Sequence, residues 1–363
     1  MKISIAEAMQ RPFDNFGIIR LLLSLAVVVS HAPAASMLGG KAVEPLHSLT
    51  GFTLGEHAVN FFFVISGFLI AMSWERRANP FAFIIARFLR VWPALILAAL
   101  FCVFAVGTHE TSLPVSDYLR SSQIYKFLGN IIIQLKGDHT LPGVFIQNPM
   151  QLVMGTVWTL KYEVECYFGV LLLGLSGFLP NKWVILAVTL FFGGCVLAVD
   201  VFHMQASLLR IVAYRLRFLF CLGILMYVWR HYISLNWLIF AALAMLAVLL
   251  KSTPVYNLAL FTAEAYGILF LAIAPSLSSR WIEPKADLSY GVYLLGWPVQ
   301  QIMVQHYSFE NPYNMLWIAI PASLILAYLS WTLAEKPALN LKQKLISGMK
   351  PWSFSLHSIL NRK

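Results

Sequence analysis

Long apolar runs recur along the whole of this chain, and they limit its possible folds more than any other feature. A helix needs about 20 mostly apolar residues to cross the hydrocarbon core of a bilayer. Of the 363 residues, 59% are hydrophobic and 12% are charged, whereas about a quarter of a soluble domain is charged. The composition therefore excludes a soluble globular enzyme and a disordered chain. Spanning runs are predicted at 16–34, 57–74, 89–107, 158–179, 183–201, 213–229, 235–250, 257–275, 289–306 and 315–334.

The basic residues between these runs predict the topology. An eleventh run, 124–135, is short and carries Lys126, Asn130 and Gln134, which is more typical of an interfacial or re-entrant segment than of a span. If it does not cross and the N-terminus is cytoplasmic, the loop lysines and arginines fall inside, as the positive-inside rule requires. They are Lys2, Arg11, Arg76, Arg77, Arg87, Arg90, Lys182, Arg230, Arg280, Lys285, Lys336, Lys342, Lys344, Lys350, Arg362 and Lys363. The sequence predicts an all-α, polytopic membrane bundle of about ten transmembrane helices with cytoplasmic N and C termini.

The charge balance and the cysteines exclude other classes of partner. The net charge is +10, which cytoplasmic loops and attraction to anionic lipid explain without a nucleic-acid partner. We divide the chain into a membrane domain, 1–340, and a basic cytoplasmic tail, 341–363. The cysteines lie in apolar runs without metal-ligand spacing, so we expect neither a disulfide nor a metal site. They are Cys102, Cys166, Cys195 and Cys221.

The first span carries two ionisable residues, and such residues are functional candidates because a bilayer makes them costly. Arg20 and His31 are eleven residues apart, so they lie about 20° from one helix face and roughly 16 Å apart along the axis. Arg20 would lie toward the cytoplasm and His31 beyond the midplane. The alternatives are that Arg20 snorkels to lipid phosphate and that His31 meets water at a helix end.

The third span begins with two arginines on one face. Arg87 and Arg90 are separated by three positions, so their guanidinium groups point the same way and suit bidentate binding of phosphate. Ordinary anchoring at the cytoplasmic interface is the alternative, and the following Trp92 fits it as well.

The fourth span begins with a run of polar residues on the outer side, from Trp158 to Glu165. Glu163 would lie near the depth of His31, and a carboxylate beside an imidazole fixes its tautomer and makes it a general base. The alternative is that Lys161 and Glu165, four residues apart, pair at the interface. That pair would explain Glu165 but not Glu163.

The sixth span also begins from the outer side, with Arg210, Arg215 and Arg217, which is unusual under the positive-inside rule. These arginines are candidates for binding an anionic or sugar-rich acceptor, or for pairing with Glu163. Glu264 lies in the middle of the eighth span, where it must face protein or water. The sequence gives it no role.

Through these residues the chain resembles the bacterial membrane acyltransferase family 3, over roughly residues 13–340. The resemblance is carried by Arg20 with His31, by Phe62–Ile70, by Arg87–Arg90 with Trp92-Pro93, by Trp158–Glu163, by Ser289–Tyr293 and by Glu335–Pro337. It departs from the family at Gly296, where many members have a histidine before an aromatic residue and a proline. A role for that histidine is absent here or has moved.

The resemblance implies an O-acyltransferase of the bacterial inner membrane. The donor would be cytoplasmic acyl-CoA, usually acetyl-CoA, and the acceptor would be a hydroxyl of a glycan such as O-antigen outside the membrane. On the matching positions, His31 would be the catalytic histidine, Arg20 its partner in the motif, and Arg87 and Arg90 part of the donor-handling motif. We expect Glu163 to orient His31. Direct transfer and a relay through acetyl-histidine both fit the sequence.

Two other classes remain open at the level of sequence. Charges inside spans and helices interrupted by glycine or proline are also typical of transporters and flippases. In that class, the stripe from Arg20 to His31 would line a translocation path. An intramembrane serine hydrolase is suggested by Ser66-Gly67, although a serine beside a glycine is common in the packing of membrane helices.

Overall fold

The structure is a computed structural model that describes residues 3–11, 13–36, 44, 46–137, 139–202, 207–274 and 284–349. Lys2, Arg280 and the part of the predicted tail from Lys350 onward lie outside the described residues. Nearly all of the described secondary structure is helical, apart from one pair of two-residue strands.

In the described part of the chain, ten long or intermediate helices follow one another with shorter pieces between them. In order they are β1 Ile3–Ser4, α1 Ile5–Ala8, α2 Phe16–Ala35, α3 His47–Thr50, α4 Leu54–Arg76, α5 Pro80–Phe101, a π-helix Cys102–Gly107, α6 Thr108–Glu110, α7 Val115–Arg120, α8 Ser122–Ile132, α9 Trp158–Leu175, α10 Lys182–Phe202, α11 Leu208–Val228, β2 Ser234–Leu235, α12 Trp237–Leu249, α13 Tyr256–Ile273, α14 Ser289–His306, a 3₁₀-helix Pro312–Met315, α15 Leu316–Ser330, a π-helix Trp331–Glu335 and α16 Lys336–Ile346.

The predicted fold class is confirmed, and each predicted apolar run corresponds to one of these helices. Seven helical stretches in the described chain are long and apolar enough to cross a membrane by length and composition. The other three predicted spans correspond to α9, α12 and α14. Helices α9 and α14 have 18 residues each but carry more polar side chains, and α12 has 13 residues. The weak run forms α8, whose 11 residues are too short to cross.

The two ends of the described chain lie at the same face of the bundle. Strand β1 pairs antiparallel with β2, so that Ile3 lies opposite Leu235. Arg230 at that end is bonded to Glu75 at 2.8 Å, and the guanidinium of Arg77 donates a hydrogen bond to the carbonyl oxygen of Ile346. Between these two ends, the described chain therefore crosses the bundle an even number of times. We call this side the inner face and the other side the outer face; that the inner face is cytoplasmic remains a prediction.

Helices α4 and α11 pack at close range through two glycines. A Cβ added to Gly67 would lie 2.0 Å from the carbonyl oxygen of Phe220, and one added to Gly223 would lie 2.1 Å from that of Val64. Both distances are far below any van der Waals contact, so only glycine fits here. Small residues at helix crossings let membrane helices approach closely.

Helices α2 and α14 run side by side in the same direction, and this pair carries much of the candidate site. A Cβ on Gly296 would lie 2.5 Å from the Cγ2 methyl of Val28. The amide of Gln300 donates a hydrogen bond to the carbonyl oxygen of Val28 at 2.7 Å. The histidine that many family members have at the position of Gly296 would therefore clash with α2.

Candidate active site

A cavity of about 350 Å³ opens at the inner face between α2, α4, α5, α9, α14 and α16. Apolar side chains such as Phe62 and Leu160 form much of its wall. Its polar lining consists of four cations, two carboxylates and several hydroxyl groups. These residues are Arg20, Ser66, Arg87, Arg90, Thr159, Glu163, Tyr167, Asp287, Ser289, Tyr290, Tyr293 and Lys342.

An ion-pair network joins the first helix of the site to the last. Asp287, just before α14, accepts hydrogen bonds from Arg20 at 2.5 Å and from the hydroxyl of Ser289 at 2.6 Å. Its second ion pair is to Arg90 at 3.0 Å, and Arg90 also pairs with Glu335 at 3.3 Å. Arg20 therefore binds a protein carboxylate, and the snorkelling interpretation of Arg20 is wrong.

The charge of Asp287 depends on these two arginines. Burial by itself would raise the pKa of the Asp287 carboxyl, but the positive charges of Arg90 and Arg20 outweigh it and lower the pKa to about 2. Asp287 is therefore ionised at any physiological pH. Asp287 thus places a full negative charge against Arg20 and Arg90, and Glu335 is a second partner of Arg90.

Two cations of the cavity, Arg87 and Lys342, have no carboxylate partner among the described ion pairs. The guanidinium of Arg87 lies 5.7 Å from the ring centroid of Tyr167 and 5.9 Å from that of Phe83. Its Nε is buried without a hydrogen-bond partner among the described residues. An unpaired buried donor on a cation is costly, so this part of the cavity favours an anionic ligand. Arg87 and Arg90 share a wall, as predicted, but differ in their partners.

Glu163 lies in the cavity and not beside His31. Its carboxylate accepts hydrogen bonds from the hydroxyls of Ser66, at 3.2 Å, and Tyr167. The expected contact between Glu163 and His31 is absent from the described structure, because α9 contributes Glu163 at the cavity while His31 lies further along α2. Ser66 is thus a donor to Glu163, and among the described lining residues there is no imidazole to activate it.

His31 lies closer to the outer face, outside the residues that line the cavity. Its ring meets the ring of Trp297 edge to face, with the centroids 5.3 Å apart. The indole nitrogen of Trp297 donates to the carbonyl oxygen of Leu152 at 2.7 Å. Since Tyr293 lines the cavity one turn before Trp297 on α14, His31 is about one helical turn, roughly 6 Å, beyond the end of the cavity.

Two of the three outer arginines pair with carboxylates of neighbouring helices. Arg217 bonds Glu165 at 2.6 Å, so the expected pair of Glu165 with Lys161 is wrong. Arg215 bonds Glu56 at 2.9 Å. Arg210 is exposed. None of the three pairs with Glu163 among the described residues, because Glu163 faces the inner half of the bundle.

Glu264 belongs to a buried network between α4 and α13. One of its oxygens is bonded to Nδ1 of His57, and the other accepts a hydrogen bond from the amide of Asn60 at 2.9 Å. The Nε2 of His57 lies 2.7 Å from the hydroxyl of Thr50. The cost of burying Glu264 is thus offset by hydrogen bonds and by a histidine that sequence reasoning did not single out.

Sequence reasoning missed three further parts of the site. Asp287 lies just outside the predicted spans, so no charge in a span pointed to it. Lys342 was counted among the basic residues of the tail, and Tyr167 is one aromatic residue among many. The serine two positions after Asp287 could have pointed to this residue, because the Asp287 carboxylate accepts a hydrogen bond from the hydroxyl of Ser289.

Comparison with known proteins agrees with the family resemblance. The chain belongs to the family of acyltransferase domains, which matches residues 13–335. It is similar to an O-acetyl transferase of Shigella phage Sf6, at 27% identity over 347 residues, covering 88% of this chain and 94% of that relative. It is also similar to nodulation protein 10 of Rhizobium leguminosarum bv. viciae, at 25% identity over 370 residues, covering 92% and 95%. No solved structure is significantly similar to this chain. The protein is an acyltransferase built as a multi-pass membrane protein.

Proposed function

We propose that this protein transfers an acyl group, in the simplest case acetyl, from cytoplasmic acyl-CoA to a hydroxyl of a glycan on the outer side of the bacterial inner membrane. The observation that carries the proposal is the cavity at the inner face, whose Arg87 and Lys342 have no carboxylate partner among the residues that the structure describes. A surface polysaccharide such as O-antigen is the acceptor class we propose. The name of the phage relative supports an acetyl group and an oxygen acceptor.

The donor end of the proposal rests on charge. Coenzyme A carries several phosphates, and arginine binds phosphate bidentately. A second cavity of about 490 Å³ adjoins the first and shares Ala86 and Lys342 with it, while Arg76 and Arg77 line it. The phosphates would lie against Arg87, Lys342 and this second cavity. Arg90 and Arg20, which already pair with Asp287, would hold the shape of the site.

Glu163 acts in this proposal as a positioning residue. It accepts the hydrogen bond of Tyr167, and the ring of Tyr167 supports the guanidinium of Arg87 at 5.7 Å. A fixed ring holds a cation that would otherwise be free to rotate. Glu163 thereby acts on donor binding, and not on the tautomer of His31.

The chemistry is assigned to His31. The acceptor hydroxyl gives its proton to the imidazole while its oxygen attacks the thioester carbonyl carbon. When the tetrahedral intermediate collapses, the C–S bond breaks and the sulfur of CoA takes the proton from His31. A general base of this kind contributes about 10²–10⁴-fold to the rate. The thioester would reach His31 along α2 and α14, past Tyr293 and Trp297.

The test compares wild type with His31→Ala in cells that express each at the same membrane abundance. His231→Ala is the matched control, because His231 is exposed and lies at the inner face away from the cavity. Purified surface glycans are analysed by mass spectrometry before and after mild alkali. We expect a base-labile acetyl increment in wild type and control, and its loss in His31→Ala.

The same experiment separates the proposal from its rivals. An increment that persists in His31→Ala would overturn the role of His31 but keep the enzyme class. If the native host shows no increment at all, membrane vesicles supplied with labelled acetyl-CoA decide between transfer and transport. Label on the glycan supports the transferase, and movement of unmodified glycan would support a transporter or flippase.

A further inference from the structure

Three potential metal ligands meet at the outer end of the bundle, far from the cavity. Helix α5 continues through the first π-helix into α6, which ends with His109 and Glu110. Helix α14 ends at His306. Both helices begin at the inner face, where Arg90 of α5 pairs with Asp287 just before α14. Because they cross the bundle in the same direction, their ends meet again at the outer face.

The distances between the ligand atoms suit one ion. The Nδ1 of His109 lies 2.8 Å from Glu110 Oε1, and the Nε2 of His306 lies 2.9 Å from Glu110 Oε2. All three ligand atoms lie within 4.8 Å of one another. Zinc binds nitrogen and oxygen at about 2.0–2.2 Å, which puts tetrahedral ligand atoms about 3.3 Å apart. The His109 side chain is 76% exposed, so it has room to rotate and to adjust its own distances from the other two ligand atoms.

The buried carboxylate of Glu110 also favours a bound cation at this position. The side chain of Glu110 is only 4% exposed, and its partners among the described ion pairs are these two histidines. A neutral imidazole supplies a hydrogen bond but no positive charge. A buried carboxylate is paired or coordinates a metal in most proteins. A divalent cation bound here would balance the carboxylate without protonating either histidine.

We propose that His109, Glu110 and His306 bind one Zn²⁺ ion at the outer face. Two imidazoles and one carboxylate form a donor set that zinc accepts, with the fourth position open to water or to an oxygen of a ligand. The ion would tie the outer end of α5 to that of α14. Helix α14 carries Tyr293 and Trp297, so the ion would also restrain the helix that leads from the cavity to His31.

The sequence does not predict this site, because His306 is 196 residues away from Glu110. The three residues lack the short spacing that is typical of zinc-binding motifs. The sequence predicted no metal, and only the packing of α5 beside α14 brings the ligands together.

The test uses the full-length protein, purified in detergent through a tag without histidine and freed of metal by chelation. Bound zinc is measured by equilibrium dialysis and elemental mass spectrometry, and thermal stability is measured with and without zinc. We expect one equivalent per chain in wild type, with a higher Tm on adding zinc. His109→Ala and His306→Ala should each weaken binding at least tenfold and remove the rise in Tm.

The control is His231→Ala, which removes an exposed histidine from the opposite face. It should bind zinc as wild type does. Because His109 is exposed, its loss leaves the fold intact, and a monodisperse elution profile checks this. If wild type binds no more zinc than His109→Ala, or if magnesium competes equally with zinc, the proposed site is wrong. Cobalt substitution adds a second readout, since tetrahedral coordination gives intense visible absorption that both variants should lose.

Discussion

Asp287 is the residue on which the charges of the inner cavity depend. Its carboxylate accepts from Arg20 on α2, from Arg90 on α5, and from the hydroxyl of Ser289 at the start of α14. Removing one partner of such a pair costs more than the pair contributes, because the other charge is left partly buried and unpaired. The ion pairs therefore make α2, α5 and α14 depend on each other at this end.

We predict that Asp287→Asn destabilises the protein by about 1–3 kcal/mol, because two arginines lose a charged acceptor. The measurement is the Tm of the purified protein in detergent. The control is Asp117→Asn, since Asp117 is exposed on α7. An unchanged Tm for Asp287→Asn would mean that these ion pairs do not stabilise the folded protein.

The pH dependence of that difference has a definite sign. The pKa of Asp287 is about 2 in the folded protein, below its ordinary value of about 3.9 in an unfolded chain. Its stabilising contribution is therefore complete above about pH 4 and is lost as the pH falls toward 2. The part of the gap in Tm between wild type and Asp287→Asn that comes from this carboxylate should therefore shrink as the pH falls from 5 toward 2. A gap that does not change over that interval would contradict the assignment of Asp287.

At the residue scale, the sequence pointed to Arg20, Arg87 and Arg90 because a charge in or beside an apolar run is conspicuous. It did not find their partners, since a carboxylate in a loop, such as Asp287, looks like any other. It also misjudged Glu163. Equal depth in two separate spans does not mean that two side chains face each other, and only the packing of α9 against α4 settles which neighbours Glu163 has.

Among the elements, α4 and α11 bring their backbones together at very short range. Each helix contributes a glycine, Gly67 and Gly223, whose Cβ position is filled by a carbonyl oxygen of the other helix. Backbones packed at this distance cannot move apart locally without breaking contacts along both helices. The crossing thus fixes α4, which carries Ser66 into the cavity.

We predict that Gly223→Ala lowers the stability by about 1–3 kcal/mol, because an added methyl group forces two backbones apart. Thermal unfolding in detergent measures it. Gly194→Ala is the matched control on α10, where an added Cβ meets nothing within 4 Å. It should leave the Tm unchanged or raise it, since alanine is the better helix former. Equal effects of the two substitutions would refute the tight crossing.

The sequence predicts the elements well, and the reason is physical. A bilayer demands runs of fixed length, so the helix boundaries of α2 and α14 could be located from hydropathy almost to the residue. It cannot predict which helices touch, because the lipid-facing and protein-facing sides of a membrane helix are about equally apolar. The pairing of α2 with α14, and of α5 with α14 at the outer face, is visible only in the structure.

At the scale of the whole molecule, the functional proposal requires that the inner face be cytoplasmic. Arg77 with Ile346, and Glu75 with Arg230, tie both halves of the chain together at that face. The basic loops fall on the same side, as the positive-inside rule requires. Coenzyme A would then enter the cavity from the cytoplasm. The region of His31 would lie nearer the acceptor on the outer side.

We predict that a membrane-impermeant maleimide labels Ser308→Cys, but not Ser347→Cys, when it is applied to intact spheroplasts. Both serines are exposed, and they lie at opposite faces of the bundle. The substitutions are made in a chain without Cys102, Cys166, Cys195 and Cys221. Lysed cells provide the control, because both sites should then react. Labelling of Ser347→Cys from outside would invert the topology and overturn the proposed direction of transfer.

The second π-helix, Trp331–Glu335, gives the last membrane helix an unusual tolerance of a change in length. A π-turn holds one residue more than an α-turn. Deleting one of the residues 331–334 would therefore restore regular α-helix and leave the helix beyond it close to its present orientation. Glu335 would stay near Arg90, and Lys342 would stay near the cavity. The same deletion in the regular part of α15 would rotate everything beyond it by about 100°, so a one-codon deletion should be tolerated better in the π-turn than one turn earlier.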